Sequence, residues 1–188
     1  MRNFKLIASG VNVQPLVDAL TAQPELWDAF NLRTTHPMSP HTQASDIVLR
    51  FNSLTDNPHD VIDDYQSVWY PATSRLPVLS LMYETMSCMM GDRLGRSVIT
   101  RLEPGAWISP HIDQGSPVTH YQRFHICLQN AEGAVFSIEN ENFTPNAGDI
   151  YVVANHKMHS VSNDSNIDRL TMIVDIHTPM FQEMKVTS

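Results

Sequence analysis

The sequence predicts a mainly β protein, a double-stranded β-helix (jelly roll) with flanking N-terminal helices. From Arg96 onward, short apolar runs alternate with turn residues such as Pro104-Gly105. Many short strands with regular turns are typical of a jelly roll. The chain before Arg96 mixes helical and strand patterns, and its 188 residues are expected to form a single domain.

Eight runs carry the strand signal, because they are rich in β-branched and aromatic residues and are bounded by turn residues. These predicted strands are Asp46–Phe51, Ser97–Leu102, Trp107–Ile112, Tyr121–Gln129, Ala134–Glu139, Asp149–Val153, His159–Ser162 and Arg169–Ile176. The segment Asn142–Gly148, which contains Pro145, is predicted as a hairpin turn before a buried strand.

The N-terminal half is predicted to be partly helical. The apolar residues Val13, Leu16, Val17 and Leu20 recur at helical spacing. A second short helix is predicted over 24–30, and a third over 76–90 that ends at Gly91. We therefore divide the domain into residues 1–95, a buttress and possible substrate wall, and residues 96–180, the catalytic double-stranded β-helix.

Composition excludes several classes of protein. The chain is 42% hydrophobic and 17% charged, as in ordinary globular proteins, and no segment approaches a membrane span. Its net charge of -8 disfavours nucleic acid as a partner, because phosphate-binding surfaces are basic. The two cysteines, Cys88 and Cys127, indicate no disulfide framework, which fits a cytoplasmic location. The oligomeric state has no signal in the sequence.

The motif His111-Ile112-Asp113, followed by His159, is the strongest functional signal. Two imidazoles and one carboxylate can occupy one face of an octahedral metal. Three adjacent positions then stay free for a chelating cosubstrate and dioxygen, as in non-haem Fe(II) oxygenases. His156, three residues before His159, is the competing candidate for the second imidazole.

Arg169 lies ten residues after His159 and opens an apolar run. A guanidinium held on a strand can bind a carboxylate through two parallel hydrogen bonds, which a lysine cannot do. Arg169 is therefore the predicted partner of a dicarboxylate cosubstrate in the same pocket as the metal. The alternative is a surface residue paired with Asp168 or Asp164.

The stretch from Thr100 to Pro179 resembles the aspartyl/asparaginyl β-hydroxylase family of Fe(II)/2-oxoglutarate-dependent dioxygenases. The resemblance rests on the order and spacing of five short motifs. They are Pro104-Gly105 leading to Pro110-His111, Arg123-Phe124-His125, Gly148-Asp149, Arg169-Leu170, and the run Val174-Asp175-Ile176-His177-Thr178-Pro179.

This resemblance implies Fe(II) bound by His111 and His159, with 2-oxoglutarate as cosubstrate and O2 as oxidant. The vertebrate members that hydroxylate peptides have glycine in place of the carboxylate ligand, whereas this chain has Asp113. Other bacterial members, including those acting on free amino acids such as proline, retain the acidic ligand. The metal ligands and catalytic residues are thus expected to be His111, Asp113 and His159.

The resemblance also implies the cosubstrate contacts. Arg169 corresponds to the residue that grips the far carboxylate of 2-oxoglutarate, and the hydroxyl of Thr100 assists it. Arg123 and His125 correspond to positions near the metal-bound end. They alternate with apolar neighbours, so they face the same side of a strand, which a solvent-exposed polar face would also explain.

Substrate residues are less clearly marked. Arg50 is a candidate partner for a substrate carboxylate, and Trp69 and Tyr70 are candidates for the substrate wall, near the segment Ser39-Pro40-His41-Thr42. For each residue a structural role is the alternative. Asp175 and His177 are expected to be structural. The remaining expectation is that His36, His41, His59 and His120 are solvated loop residues.

The predicted function is hydroxylation of an unactivated carbon of an amino-acid-like substrate, free or in a peptide, with release of succinate and CO2. Alternatives are a hydroxylase of a nucleobase or other small metabolite, and a cupin-like metal enzyme that does not use 2-oxoglutarate. A non-catalytic β-sandwich is disfavoured by the intact ligand set.

Overall fold

The structure is a computed structural model that describes residues 3–53, 67–90 and 93–177. Two antiparallel sheets make up most of it. The larger sheet has the strand order β1 (Phe4–Ala8), β9 (Ile150–Val153), β6 (Gln122–Gln129), β11 (Arg169–His177), β4 (Arg93–Leu102), β2 (Ala44–Phe51) and β3 (Val68–Trp69). The smaller sheet has the order β5 (Trp107–His111), β10 (His159–Asn163), β7 (Ala134–Ile138) and β8 (Glu141–Phe143). The jelly-roll prediction is confirmed.

The helices lie mainly in the N-terminal half. They are α1 (Gln14–Thr21), α2 (Leu32–Thr35), α3 (Pro71–Ser74), α4 (Val78–Met90) and α5 (Ser116–His120). Leu16 and Leu20 of α1 and Leu79 of α4 are buried in the same apolar cluster as the outer face of the larger sheet. Within the described residues, no helix has the length and apolar character needed to cross a bilayer.

Strand alternation gives the larger sheet two different faces, because successive side chains of a strand point to opposite sides. The outer face packs under the helices; on β11 it consists of Leu170, Met172, Val174 and Ile176. The inner face meets the smaller sheet in a second cluster that includes Leu102, Cys127 and Tyr151 from one sheet and Phe136 and Val161 from the other. Arg169, Thr171, Ile173 and Asp175 of β11 lie on this inner face.

The N-terminal residues contribute strands as well as helices. β2 pairs with β4 across most of its length, and β1 pairs with β9 at the edge of the larger sheet. The sequence signal for β2 was found, whereas β1, β3 and β8 were not predicted. Helix α4 begins at Val78 and not at Leu76, and its predicted end at Gly91 lies outside the described residues.

Two element predictions are wrong. The helix expected over 24–30 is a single 3₁₀ turn, Pro24–Leu26, after which Asp28 has φ 57° and donates its backbone N–H to Asp46 O at 2.8 Å. This contact draws the chain towards β2 and ends the helical geometry.

The segment 142–148 is not a hairpin turn. Its first residues belong to β8, which pairs with β7, whereas the following β9 pairs with β1 and β6 in the other sheet. The segment is therefore a crossover between sheets. Gly148 has φ +87° at its end, and a Cβ there would lie 2.5 Å from Val11 O, so the close approach requires glycine.

Candidate active site

His111, Asp113 and His159 come together between the two sheets. His111 ends β5, and His159 begins the neighbouring strand β10, directly opposite it in register. Asp113 follows in the loop after β5, where its backbone N–H donates to Asn155 O at 3.1 Å. The potential ligand atoms of the three side chains all lie within 4.8 Å of one another. The antiparallel pairing of β5 and β10 thus assembles residues that are far apart in sequence.

Backbone carbonyls set the tautomers of both histidines. His111 Nδ1 is 2.7 Å from Ser109 O, and His159 Nδ1 is 2.9 Å from Lys157 O. Because a carbonyl only accepts, each Nδ1 carries the proton, and Nε2 of the neutral ring presents a lone pair. A hydrogen bond at the other ring nitrogen is the usual way in which proteins orient a histidine that binds metal.

Asp113 presents one oxygen to the histidines. Its Oδ1 lies 3.5 Å from His111 Nε2 and 3.9 Å from His159 Nε2. Its Oδ2 accepts hydrogen bonds from Arg123 Nη1 and, at 2.9 Å, from Asn155 Nδ2. Three lone-pair-bearing atoms therefore converge where no donor separates them, an arrangement that a cation would stabilise. The donor set fits a divalent metal.

Electrostatics keep Asp113 ionised. Burial works against the charged form, but the charge of Arg123 and the hydrogen bond from Asn155 outweigh it, so the pKa of Asp113 lies well below its ordinary value. Burial also lowers the pKa of His159, which favours the neutral imidazole required of a ligand.

A narrow inner cavity continues from this cluster into the β-helix. Among its lining residues are four that the sequence associated with the cosubstrate: Thr100, Arg123, His125 and Arg169. Thr171, which is not among the predicted site residues, also lines it. Thr171 lies two residues after Arg169, so strand alternation alone could have indicated it.

Several buried polar atoms of this cavity have no hydrogen-bond partner among the described residues. They are Arg169 Nε, Thr171 Oγ1 and His125 Nε2. Arg169 is only 3% exposed, and its one hydrogen bond to a described side chain is a long contact of 3.4 Å to Tyr151 Oη. A buried cation without a counterion is costly, so this end of the cavity is suited to an anion.

Burial is the main cause of the altered titration of the cavity walls. It lowers the pKa of His125 well below its ordinary value, an effect to which the charges of Arg123 and Arg169 add. It raises the pKa of Tyr151 to about 12. Both side chains are therefore neutral hydrogen-bonding groups at neutral pH.

Thr100 is engaged elsewhere. Its hydroxyl donates to Asp46 Oδ1 at 2.8 Å, and Asp46 Oδ2 forms an ion pair of 2.5 Å with Arg33 Nη1. Asp46 is fully buried at 0% exposure. Thr100 lines the cavity, but its proton is committed to a carboxylate behind the wall.

Arg123 is held by carboxylates on both sides. Its Nε and Nη2 donate to the two oxygens of Asp175, at 2.8 and 3.0 Å, while Nη1 binds Asp113. These two acidic groups outweigh the effect of burial and raise the pKa of Arg123. The sequence placed Arg123 beside the cosubstrate; the structure joins it to a metal-ligand candidate. The expectation that Asp175 is structural is consistent with this bonding.

Of the two histidines that competed as the second imidazole ligand, the structure places His159, and not His156, in the cluster. His156 is exposed and lies outside the cluster, whereas His159 is buried within it.

His41 was expected to be a solvated loop residue, and that expectation is wrong. Its ring packs edge-on against His111 with centroids 5.1 Å apart, and its buried Nδ1 has no partner among the described residues. Burial lowers its pKa well below the ordinary value. No local sequence signal distinguishes His41, because the loop 36–43 reaches the site through tertiary contacts.

The predicted substrate residues Arg50, Trp69 and Tyr70 do not join the cluster. β2 has an irregularity between Val48 and Arg50 that reverses its alternation. Arg50 consequently turns to the helix side, where its guanidinium stacks over Trp69 at 4.7 Å. Trp69 and Tyr70 border a different surface depression with Tyr83. Their assignment to substrate stays an untested prediction.

A larger outer cavity of about 290 Å³ adjoins the cluster. It shares Arg33, His41, Asp113, Arg123 and Ile173 with the inner cavity. The metal-ligand candidates therefore stand between a polar inner space and a wider outer one.

Three solved structures with similar folds are named as an oxygenase and two prolyl hydroxylases. A 2OG-Fe(II) oxygenase family protein from Burkholderia pseudomallei aligns with a TM-score of 0.51 and 17% identity, over 72% of this chain and 68% of that one. A viral collagen prolyl hydroxylase from Paramecium bursaria Chlorella virus-1 aligns with a TM-score of 0.52 and 9% identity, over 94% of this chain and 96% of that one. A prolyl-4-hydroxylase from Pseudomonas putida aligns with a TM-score of 0.52 and 11% identity, over 94% of this chain and 92% of that one. At these identities, the likeness establishes the fold.

No curated protein sequence matches the chain significantly. The family model described as aspartyl/asparaginyl beta-hydroxylase, in contrast, matches residues 13–179. That range includes α1, every strand except β1 and all three members of the His-Asp-His cluster. The chain therefore belongs to the aspartyl/asparaginyl β-hydroxylase family and is a dioxygenase of the hydroxylase type.

Proposed function

We propose that the protein hydroxylates an unactivated carbon of an amino-acid-like substrate, using Fe(II), 2-oxoglutarate and O2 and releasing succinate and CO2. The observation that carries the cosubstrate assignment is the buried guanidinium of Arg169, which has no ion-pair partner among the described residues. It lines the same inner cavity as His111, Asp113 and His159. A dicarboxylate that reaches both the metal and Arg169 would satisfy both charges.

His111 Nε2, His159 Nε2 and Asp113 Oδ1 would hold Fe(II). Bound Fe(II) and 2-oxoglutarate supply the oxidative chemistry that couples loss of CO2 to insertion of oxygen into a C–H bond. The protein's part is to orient these ligands through Ser109 O, Lys157 O and Arg123.

The inner cavity would bind 2-oxoglutarate by its far carboxylate. Among the described residues, Arg169 and the hydroxyl of Thr171 offer unpaired donors for that group, and His125 Nε2 is a third unpaired atom of the same cavity. Thr100 supports the site indirectly through Asp46. Apolar side chains on opposite walls, such as Phe136 and Ile173, exclude water and strengthen each of these contacts.

The substrate class rests on the family and on the retained carboxylate ligand Asp113. Two of the solved structures with similar folds are named prolyl hydroxylases, but likeness of fold alone does not transfer a substrate. The formal net charge of -8 opposes a polyanionic substrate such as nucleic acid. We expect no nucleic-acid or membrane partner.

The test is anaerobic titration of the purified protein with Fe(II) and then 2-oxoglutarate. We expect a weak visible charge-transfer band from the chelate. Binding of the metal without that band would indicate a cupin-like enzyme that does not use 2-oxoglutarate. Succinate release is then measured against free amino acids, short peptides and nucleosides in parallel; stimulation by nucleosides alone would overturn the substrate class and leave the oxygenase assignment intact.

A further inference from the structure

The outer cavity provides the space through which a substrate would reach the metal. It borders Asp113 on one side, and its wall is largely apolar. The apolar residues are Leu32, Pro40, Phe51, Val98, Pro117, Val118 and Ile173. A wall of this kind accepts hydrocarbon and leaves recognition to the few charged groups set into it.

Three arginines line this cavity, and they are bonded differently. Arg123 directs Nε, Nη1 and Nη2 at the carboxylates of Asp175 and Asp113. Arg96 donates from Nε to Asn52 Oδ1 at 2.7 Å and stacks over the ring of Phe51 at 4.6 Å.

Arg33 retains donors for a ligand. It uses only Nη1, in the ion pair with Asp46, and among the described residues Nε and Nη2 have no acceptor. Its side chain is 18% exposed, and it lines both the inner and the outer cavity. Arg33 therefore combines a fixed position, unused donors and access to the outer cavity.

The position of Arg33 is fixed by its surroundings. Asp46 is buried, accepts the hydroxyl of Thr100, and receives no solvent that would compete with the ion pair. The carbonyl of Arg33 accepts a hydrogen bond from Ser39 Oγ, and Pro40 O accepts the backbone N–H of Ser109 at 3.0 Å. These bonds attach the loop after α2 to the strand that leads to His111. A preorganised guanidinium loses little entropy when it binds a ligand.

We propose that Arg33 binds the carboxylate of a small substrate in the outer cavity, and that the substrate is a free amino acid or an acid of similar size. This inference rests on the proposed function. The volume of about 290 Å³ lies at the lower end of the range for small-molecule pockets, about 300–1,000 Å³, and so favours one residue over a peptide. His41 is a second polar side chain in the same wall.

Arg33 would thus have the role for which the sequence offered Arg50. The strand irregularity turns Arg50 to the helix side, whereas the short helix α2 brings Arg33 to the cavity. A carboxylate at Arg33 would leave the apolar part of the substrate against Phe51 and Ile173. The specificity that follows is for a free carboxylate, and a carboxamide should be rejected because it cannot form the charged pair.

The experiment compares the free L-amino acids with their C-terminal amides and with N- and C-blocked tripeptides. Succinate release is measured with wild-type protein, Fe(II) and 2-oxoglutarate, and binding is measured by calorimetry with Mn²⁺ in place of iron. We expect at least one free acid to bind and to stimulate turnover, with its amide weaker by about tenfold or more. Equal binding of acid and amide would overturn the proposal without any variant being made.

Arg33→Gln then tests the residue. KM for the accepted acid should rise by about tenfold or more, a larger factor than any change in the Kd of 2-oxoglutarate. Arg33→Lys keeps a charge beside Asp46 and guards against loss of folding; it should restore part of the affinity. Arg75→Gln removes an exposed arginine paired with Glu25 and serves as the matched control.

Two further results would overturn the proposal and are distinguishable from failure of the proposed function. If Arg33→Gln weakened the binding of 2-oxoglutarate and not that of the acid, Arg33 would belong to the cosubstrate site. If only blocked tripeptides or nucleosides stimulated turnover, Arg33 would not be the binding partner of a substrate carboxylate, although the assignment as an oxygenase would still hold. If 2-oxoglutarate itself failed to bind, the proposed function would be at fault.

Discussion

Both carboxylate oxygens of Asp175 accept hydrogen bonds from Arg123, at 2.8 Å from Nε and 3.0 Å from Nη2. The third nitrogen of the same guanidinium, Nη1, donates to Asp113 Oδ2. Asp175 lies on β11 and Asp113 in the loop after β5, so Arg123 connects the two sheets. This bonding leaves Asp113 Oδ1 as the oxygen that faces the two histidines.

The first prediction concerns Asp175→Asn, which keeps the shape of the side chain and removes its charge. Arg123 would then be drawn towards Asp113 alone and would compete with a metal for that carboxylate. We expect the affinity for Mn²⁺ to fall by about tenfold, because residues that orient metal ligands carry effects of about 10–100-fold. Titration of Mn²⁺ followed by EPR measures this directly and needs neither iron nor turnover.

Asp149→Asn is the matched control for that variant. Asp149 is also buried, but its Oδ2 accepts the backbone N–H of Asn146 in a turn outside the site. We expect some loss of stability with Mn²⁺ affinity unchanged within about twofold. If Asp175→Asn bound Mn²⁺ like the wild type, the role of Asp175 in positioning Asp113 would be refuted.

The second prediction separates the two histidines that the sequence left in competition. His159→Ala removes the buried Nε2 beside Asp113, so Mn²⁺ binding and iron-dependent turnover should both be abolished. His156→Ala alters an exposed residue three positions earlier and should leave both intact. Metal content by mass spectrometry and succinate release distinguish the two variants. Metal retained by His159→Ala and lost by His156→Ala would reverse the assignment.

Alternation along single strands made much of the site predictable. The inner-facing pair Arg123 and His125, and the start of β11 at Arg169, followed from the period of two and from apolar neighbours. The wall residue Thr171 follows from the same rule, although it was not identified from the sequence. These features depend on local pattern, which the sequence carries directly.

The predictions that the structure did not bear out depended on how separate strands and loops pack against one another. The bond from Thr100 to Asp46 requires the register of β4 against β2, and the contact of His41 with His111 requires the loop after α2 to fold over β5. The irregularity that redirects Arg50 is a single added residue in β2. It moves every later side chain of the strand to the opposite face of the sheet, and no glycine in the strand marks its position. Such relationships are set by tertiary pairing and cannot be inferred from periodicity.

The third prediction tests the anion site. Arg169→Ala removes a buried charge-assisted contact, which should cost about 2–5 kcal/mol of 2-oxoglutarate binding and raise its Kd by about 30-fold or more. Arg169→Lys should recover only part of this, because an ammonium cannot form the paired hydrogen bonds. Calorimetry with the Mn²⁺ form gives the Kd. Arg101→Ala, which removes an arginine stacked over Trp27 at 4.7 Å, is the control; an unchanged Kd in Arg169→Ala would place the anion site elsewhere.

The fourth prediction contrasts two threonines on adjacent strands. Thr171 Oγ1 is buried without a partner in the part of the chain that the structure describes, whereas the proton of Thr100 is committed to Asp46. Thr171→Val should therefore raise the Kd of 2-oxoglutarate about fivefold, the loss of one hydrogen bond of about 1 kcal/mol, with little loss of stability. Thr100→Val should instead destabilise the protein by about 1–3 kcal/mol, because it leaves a buried carboxylate oxygen unpaired.

Measured together, the two valine variants decide which hydroxyl serves the cosubstrate. The same pair of measurements, 2-oxoglutarate affinity and urea unfolding, is applied to both. A large loss of affinity in Thr100→Val with normal stability would restore to Thr100 the role that the family resemblance implies.

The fifth prediction is that metal-free protein loses stability in acid through His125. The pKa of His125 in the folded protein lies well below the ordinary value of 6.5, mainly because of burial. Below about pH 6.5 the unfolded chain therefore binds a proton that the folded chain does not. The sign follows: this contribution to stability is complete above the unfolded pKa and decreases as the pH falls.

His125→Phe should remove this dependence while keeping a ring between Phe136 and Tyr151, whose centroids lie 5.5 and 5.2 Å from that of His125. Urea unfolding from about pH 8 to about pH 5.5 should show the slope of stability against pH reduced by up to about 1.4 kcal/mol per unit, which corresponds to one proton. Part of the slope should persist, since His41 and His159 are shifted in the same direction. The exposed His156→Gln variant should follow the wild type. Parallel curves for His125→Phe and the wild type would show that His125 takes up its proton in the folded state, and the buried, neutral imidazole would have to be abandoned.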